Sequence, residues 1–211
     1  MMDTNPTVLI IDDDAAFRDS VERLLSALGL NTRLFASVAD FLKSDPPDGA
    51  TCLVLDVRLP GQSGLDLQRE LAAANRQPPI VFITGHGDIP MSVQAMKCGA
   101  VEFLTKPFRD QDLLDAIQVG LARDRARREH EKSLATLRER FDGLSPRERE
   151  IMLLVTQGRI CKQIAADIGL AEGTVKVHRM RLMRKMKAGS LPELSRMADK
   201  LKLVPEEPQH S

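Results

Sequence analysis

Short apolar runs alternate with amphipathic stretches through the first 122 residues. Thr7-Val-Leu-Ile-Ile11, Cys52-Leu-Val-Leu55 and Ile80-Val-Phe-Ile83 anchor strands over 7–11, 52–56 and 79–84. Weaker runs place two more strands at 31–36 and 101–105. The intervening stretches have helical spacing. Phe17, Val21, Leu24, Leu25 and Leu28 form one stripe, closed by Gly29. Ser37 caps a helix over 38–44, and a helix over 64–75 presents Leu65, Leu67, Leu71 and Ala72. A further helix has Asp88 as its cap, Pro90 in its first turn and Gly99 at its end. Asp110 caps the last, which runs to 122. Five βα units with apolar strands predict an α/β domain with a parallel sheet covered on both faces.

The pattern changes at Arg123. Residues 123–143 are charged almost throughout and continue the last helix into a solvated linker, with Leu134, Leu137 and Phe141 as its few apolar anchors. Too few positions are apolar at heptad spacing for a coiled-coil seam. At Leu144-Ser-Pro-Arg-Glu148 a capping box opens an all-α domain: Ser145 caps, Pro146 takes the first helical position, and Glu148 reaches back. Helices follow over 146–157, 161–168 and from Glu172 to about Lys187, with Gly158 and Gly169 between them, and Ser190 caps a fourth. The expected organisation is 1–122, a linker 123–143, a second domain 144–205 and a disordered tail 206–211.

Charge sharpens that division. The chain is neutral overall, yet residues 1–122 carry 10 Lys and Arg against 17 Asp and Glu, while residues 123–211 carry 20 against 13. An acidic module is joined to one fit to meet a polyanion, unless the split is a chance difference between two solvated surfaces. With 43% hydrophobic residues but neither Trp nor Tyr, the core must be aliphatic. Cys52, Cys98 and Cys161 have no metal or disulfide spacing, and no basic leader or membrane-length apolar run is present. The expectation is a soluble, cytoplasmic protein with buried free thiols.

The candidate chemistry lies where the strands end. The first ends in Asp12-Asp13-Asp14, the central one in Asp56 before Pro60-Gly61, the fourth in Thr84, and the fifth in Thr105-Lys106-Pro107. In a parallel sheet these ends share one crevice, where ligands bind. Carboxylates there suit Mg²⁺, a hard cation that also bridges to phosphate oxygens. Lys106 and Thr84 could neutralise and hydrogen-bond a phosphoryl group. Taken singly, Asp12 and Asp13 could instead cap the first helix, and Lys106 could be an ordinary salt-bridge partner.

Residues 5–122 resemble the receiver domain of two-component response regulators. Ile-Ile-Asp12-Asp13-Asp, Leu-Asp56-Val-Arg-Leu-Pro-Gly, Phe-Ile-Thr84-Gly-His-Gly and Phe103-Leu-Thr-Lys106-Pro107-Phe carry the resemblance. It implies a flavodoxin-like doubly wound (βα)5 fold. It also implies that Asp56 accepts a phosphoryl group from a sensor histidine kinase. Asp13, Asp56 and the Arg58 backbone carbonyl would then bind Mg²⁺, with Asp12 acting mainly through water. Thr84 and Phe103 would form a switch pair, Phe103 also being an apolar strand residue that reads as core. Lys106 would contact the phosphoryl group, and Lys106-Pro107 is a candidate cis peptide. A phosphatase forming an aspartyl phosphate commonly has a second Asp two residues on; Arg58 stands there. No turnover enzyme is expected, and His86 receives no role.

In the third helix of the second half, Val175, His178, Leu182 and Met186 share one face, and Lys176, Val177, Met180, Arg181, Arg184 and Lys187 the opposite one. A basic face alone would be ordinary solvation. Preceded by a short helix and a tight turn, it makes a helix-turn-helix. Residues 144–202 resemble the four-helix output domain of the LuxR/FixJ/NarL class, through Leu-Ser-Pro-Arg-Glu148-Arg-Glu150, Lys162-Gln-Ile-Ala165, Gly173-Thr174-Val175-Lys176-Val-His178-Arg179 and Arg184-Lys-Met. The resemblance implies base-edge contacts from Lys176, Val177 and Met180 on double-stranded DNA, and phosphate contacts from Lys162, Thr174 and Arg179. Cys161 and Ala171 depart from the Asn and Ser usual in that class, each losing a capping oxygen. The combined expectation is a transcription factor switched by phosphorylation, forming a homodimer and working with RNA polymerase. One alternative is a phosphorylation-independent DNA binder with the receiver as an interaction module. Another is an unphosphorylated receiver that masks the recognition helix.

Overall fold

The computed structural model describes residues 5–74, 78–85 and 89–203. Asp88, His86 and the tail 206–211 lie outside them. The chain divides into two compact units, one ending at Arg128 and the other beginning at Glu129.

The first unit is a parallel sheet of β1 (Thr7–Ile11), β2 (Asn31–Phe35), β3 (Thr51–Asp56), β4 (Ile80–Thr84) and β5 (Glu102–Thr105), in the order β2-β1-β3-β4-β5. Between the strands run α1 (Ala15–Ser26), α2 (Val38–Lys43), α3 (Gly64–Ala73) and α4 (Ile89–Lys97), and α5 (Asp110–Asp142) follows β5. Every residue of β1, β3 and β4 is buried, as a sheet covered on both faces requires. At the edges, β2 and β5 are partly exposed, which accounts for the polar Asn31, Thr32, Arg33 and Glu102 there.

Alternation along the strands sorts the core into two layers. Leu9, Ile11, Leu53, Leu55, Ile80 and Phe82 face Val38, Leu65, Leu67, Leu71 and Ala95 of α2, α3 and α4. Val8, Ile10, Cys52, Val54, Val81 and Ile83 face Val21, Leu25, Leu113 and Ile117 of α1 and α5. This is the flavodoxin-like doubly wound arrangement. Three expectations differ from the structure: Leu28 is 55% exposed, Asp110 is the first helical residue rather than the cap of its helix, and of the three cysteines only Cys52 is buried, Cys98 being exposed and Cys161 half-buried.

The second unit contains the end of α5 with α6 (Pro146–Thr156), α7 (Cys161–Ile168), α8 (Glu172–Met186) and α9 (Leu191–Lys200). Its core joins Ile151, Met152, Val155, Ile164, Val175, Leu182, Met186, Leu194 and Ala198 to Leu137 of α5, with Leu134 and Phe141 packed against it. The expected capping box at Ser145 and Glu148 is present. No side chain caps α7 or α8. The cap position of α7 is Ile160, so Cys161 is its first helical residue; the Gln163 side chain accepts from the Ile160 N–H at 3.1 Å. Among the described residues no helix is long and apolar enough to cross a membrane.

Candidate functional site

The strand order reverses between β1 and β3, and the carboxyl ends of these two strands carry Asp12 and Asp56. That reversal opens the crevice in which open α/β sheets bind ligands. Asp14 serves as the N-cap of α1, its carboxylate accepting from the Ala16 and Phe17 N–H groups at 2.9 and 3.2 Å. Asp12 and Asp13 are thereby left for the crevice, which decides against their reading as helix caps. One carboxylate oxygen from each of Asp12, Asp13 and Asp56 lies within 4.8 Å of the others.

Local geometry fixes Asp56. Its Oδ1 accepts from the Arg58 N–H at 2.9 Å, an Asx turn that aims the carboxylate back over the strand end. Gly61 turns the chain at a positive φ of 87°. At Gly64 the start of α3 passes so close to the Asp56 carbonyl oxygen that a Cβ would collide with backbone. Lys106 reaches across from β5, its Nζ donating to Asp12 Oδ2 at 2.7 Å and standing 3.5 Å from Asp56 Oδ2. The Lys106-Pro107 peptide is cis, and the Lys106 N–H donates to the Thr84 carbonyl at 2.8 Å.

Burial raises the Asp56 pKa most strongly, and the Asp12 charge adds to it. The Arg58 N–H and Lys106 oppose them without cancelling the rise. Three carboxylates and one ammonium leave an excess of negative charge, held on oxygen donors alone. That donor set fits Mg²⁺. Thr84 is fully buried at the end of β4, beside the crevice. Phe103 is half-buried against the inner layer, its ring centroid 6.2 Å from that of Phe82.

On the second unit, α7 and α8 are separated by a turn that begins at Gly169, with φ at 67°. The inner stripe of α8 is as its spacing indicates: Val175, Leu182 and Met186 are fully buried and His178 is half-buried. The opposite face exposes Thr174, Lys176, Val177, Met180, Arg181 and Arg184, with Met180 at 64%. Lys162 is exposed on α7. Two contacts were missed in the sequence. Lys176 is paired with Glu172 at 2.8 Å, an i,i+4 spacing that was legible. Arg179 is half-buried and donates to Cys161 Sγ at 3.5 Å, which no local pattern announces.

Comparison with known proteins agrees with the two-domain architecture. The response regulator receiver domain matches residues 8–118, and the luxR family of bacterial regulatory proteins matches residues 142–198. Nodulation protein W of Bradyrhizobium diazoefficiens is 53% identical over 198 residues, covering 94% of this chain and 87% of that protein. The transcriptional regulatory protein FixJ of Azorhizobium caulinodans is 44% identical, with 90% of each chain covered. The solved structure of response regulator StyR superposes with a TM-score of 0.84 at 45% identity, covering 93% of this chain and 99% of that one. The receiver architecture, the acidic crevice with its lysine, the helix-turn-helix and these full-length relatives place the chain in the response regulator family, as a transcription regulator with an N-terminal receiver domain and a C-terminal LuxR-type DNA-binding domain.

Proposed function

We propose that Asp56 is the phosphoacceptor of this regulator and that its phosphorylation controls DNA binding. The observation that carries this reading is Lys106, whose ammonium stands between Asp12 and Asp56 over a cluster of oxygen donors. In this reading the Asp56 carboxylate attacks the phosphorus of a sensor histidine kinase's phosphohistidine. The O–P bond forms as the donor's P–N bond breaks, and the departing imidazole nitrogen takes up a proton. Asp12, Asp13 and Asp56, with the Arg58 carbonyl, would hold Mg²⁺, which when bound offsets the charge of the transferring group. Lys106 neutralises a phosphoryl oxygen, and the Thr84 hydroxyl donates to another. Slow self-dephosphorylation is the only other chemistry this site needs.

The proposed switch uses the same crevice. Thr84 drawn towards the phosphoryl group alters the space available to Phe103, and so the surface of α4, β5 and the start of α5. That surface exposes Ile89, Val93 and Met96 beside Lys97, Arg109 and Asp110. Apolar groups rimmed by both signs of charge suit a self-complementary two-fold contact. Dimerised receivers would place two copies of α8 on adjacent half-sites of double-stranded DNA, in the cytoplasm, where RNA polymerase is recruited. Lys176, Val177 and Met180 would reach base edges, and Lys162, Thr174, Arg179, Arg181 and Arg184 the backbone.

Acetyl phosphate labelling of the full-length protein tests the assignment. Wild-type protein should take up acid-stable, base-labile label in the presence of Mg²⁺ and lose it with a chelator, and Asp56→Asn should take up none. Undiminished label on the variant would move the acceptor elsewhere.

A further inference from the structure

Lys106 has a third neighbour besides the two carboxylates. Its Nζ stands 3.9 Å from the centroid of the Phe17 ring, in the first turn of α1. The backbone and the ring of Phe17 are each held by a neighbour. The Phe17 N–H donates to the Asp14 carboxylate, and Phe108, two residues beyond Lys106, meets the ring edge-on with centroids 6.1 Å apart and planes at 86°. In the sequence Phe17 is one more member of an apolar stripe; in the structure it is only half-buried, with one face under a charge.

We propose that Phe17 is a positioning residue for Lys106, holding the ammonium over the crevice through the face of its ring. The proposal rests on the reading of Asp56 as phosphoacceptor. In the structure Lys106 is tied chiefly to Asp12, at 2.7 Å, and is more distant from Asp56, at 3.5 Å. A phosphoryl group on Asp56 must draw the ammonium away from Asp12. A lysine is a point charge on a flexible four-carbon stem, so its carboxylate partners alone fix its place poorly. An aromatic face attracts the cation in either position and consumes none of its three N–H donors, leaving them for oxygen acceptors. The side chain is 25% exposed, so the contact is partly desolvated, where such attraction is stronger.

The test is a set of full-length variants, Phe17→Leu and Phe17→Tyr, each made with Lys106 and with Lys106→Ala. The readouts are the initial rate of Mg²⁺-dependent acetyl phosphate labelling and the proton shifts of the Lys106 ε-methylene, which a ring beneath it moves upfield. Phe17→Leu keeps apolar bulk but offers no ring, and should slow labelling about two- to thirtyfold while abolishing the upfield shift. Phe17→Tyr should restore both. With Lys106→Ala, Phe17→Leu should bring no further loss, because the effect runs through the lysine. An equal loss in both backgrounds, or Phe17→Leu labelling at the wild-type rate, would overturn the role assigned to the ring. Absence of label on the wild-type protein would remove the phosphoacceptor reading and this role together, and the intact upfield shift would then mark a contact without that purpose.

Discussion

Three consecutive aspartates look interchangeable in the sequence, and the structure gives them different work. Asp14 spends its carboxylate on the backbone of α1, Asp12 is fully buried against Lys106, and Asp13 is exposed at the crevice mouth. The difference arises because a strand end and a helix start share three residues, and only the last can cap. Basic residues divide in the same way on the DNA-binding unit. Lys176 already has Glu172 as a partner, which raises its pKa and lowers that of the glutamate through their hydrogen bond and charges. That exposed pair must open or share its ammonium if Lys176 is to reach a base edge as proposed. Lys176→Ala should lower the ratio of specific to non-specific binding, by roughly 1–3 kcal/mol at particular base pairs. Lys162→Ala should weaken both kinds of binding alike and reduce the salt slope by about one. Identical behaviour of the two variants in salt titrations on operator and random DNA would refute that division.

At the scale of elements, α5 departs most from its sequence reading. The charged run after Arg123 reads as solvated, yet Asp124 is fully buried. Its carboxylate accepts from the Thr51 N–H at 2.8 Å and from Arg127 and Arg128 at 2.6 and 2.7 Å; Arg128 also donates to the Asp48 carbonyl. A signal was present: Asp124 continues the buried stripe of Leu113, Ile117 and Leu121, with arginines three and four residues on. Charge density obscured it. Thr51 begins the strand that Asp56 ends, so the base of β3 is anchored to α5. Burial pushes the Asp124 carboxyl up, but bonds from Arg127, Thr51 and Arg128 outweigh it and hold its pKa below the ordinary 3.8. A carboxyl lowered by folding contributes stability that is complete above 3.8 and is lost as pH falls through its folded value. Acid should therefore release this turn of α5, seen as faster hydrogen exchange at Thr51 and residues 121–128. Asp124→Asn should cost roughly 2–3 kcal/mol at neutral pH, allowing for the partial exposure of both guanidinium groups. Urea unfolding with a midpoint equal to wild type would contradict it.

At the scale of the whole molecule, the proposed function requires that phosphorylation of Asp56 change affinity at α8. The second unit includes the end of α5: Leu137 is 7% exposed within its core, and Arg140 donates to the carbonyl of Met186, the last residue of α8, at 3.3 Å. Losing a buried leucine from such a core costs about 2–5 kcal/mol. A fragment over 129–211 should therefore melt higher than one over 143–211, and the longer one is the proper isolated output domain. Comparing its DNA affinity with that of the phosphorylated full-length protein separates two modes of control. Receiver dimerisation, which we favour, predicts weaker binding by the fragment and a rise in mass on phosphorylation. Masking by the receiver predicts equal binding. A phosphorylated protein that stays monomeric at micromolar concentration would exclude the first.

The sequence by itself determined the elements and the all-α second domain, because these rest on periodicity, caps and turns. Local spacing placed Asp12, Asp56, Thr84 and Lys106 at strand ends and put Val175, Leu182 and Met186 on one helix face. What only the tertiary structure decided was the partner of each polar group. The strand order sets Asp12 beside Asp56, and the Lys106 side chain reaches from the end of β5 to the Phe17 ring. Asp124 is buried where Thr51, 73 residues away, adds a backbone N–H to the bonds from its neighbouring arginines. Periodicity reports which face of an element is apolar; it carries no record of what that face will meet.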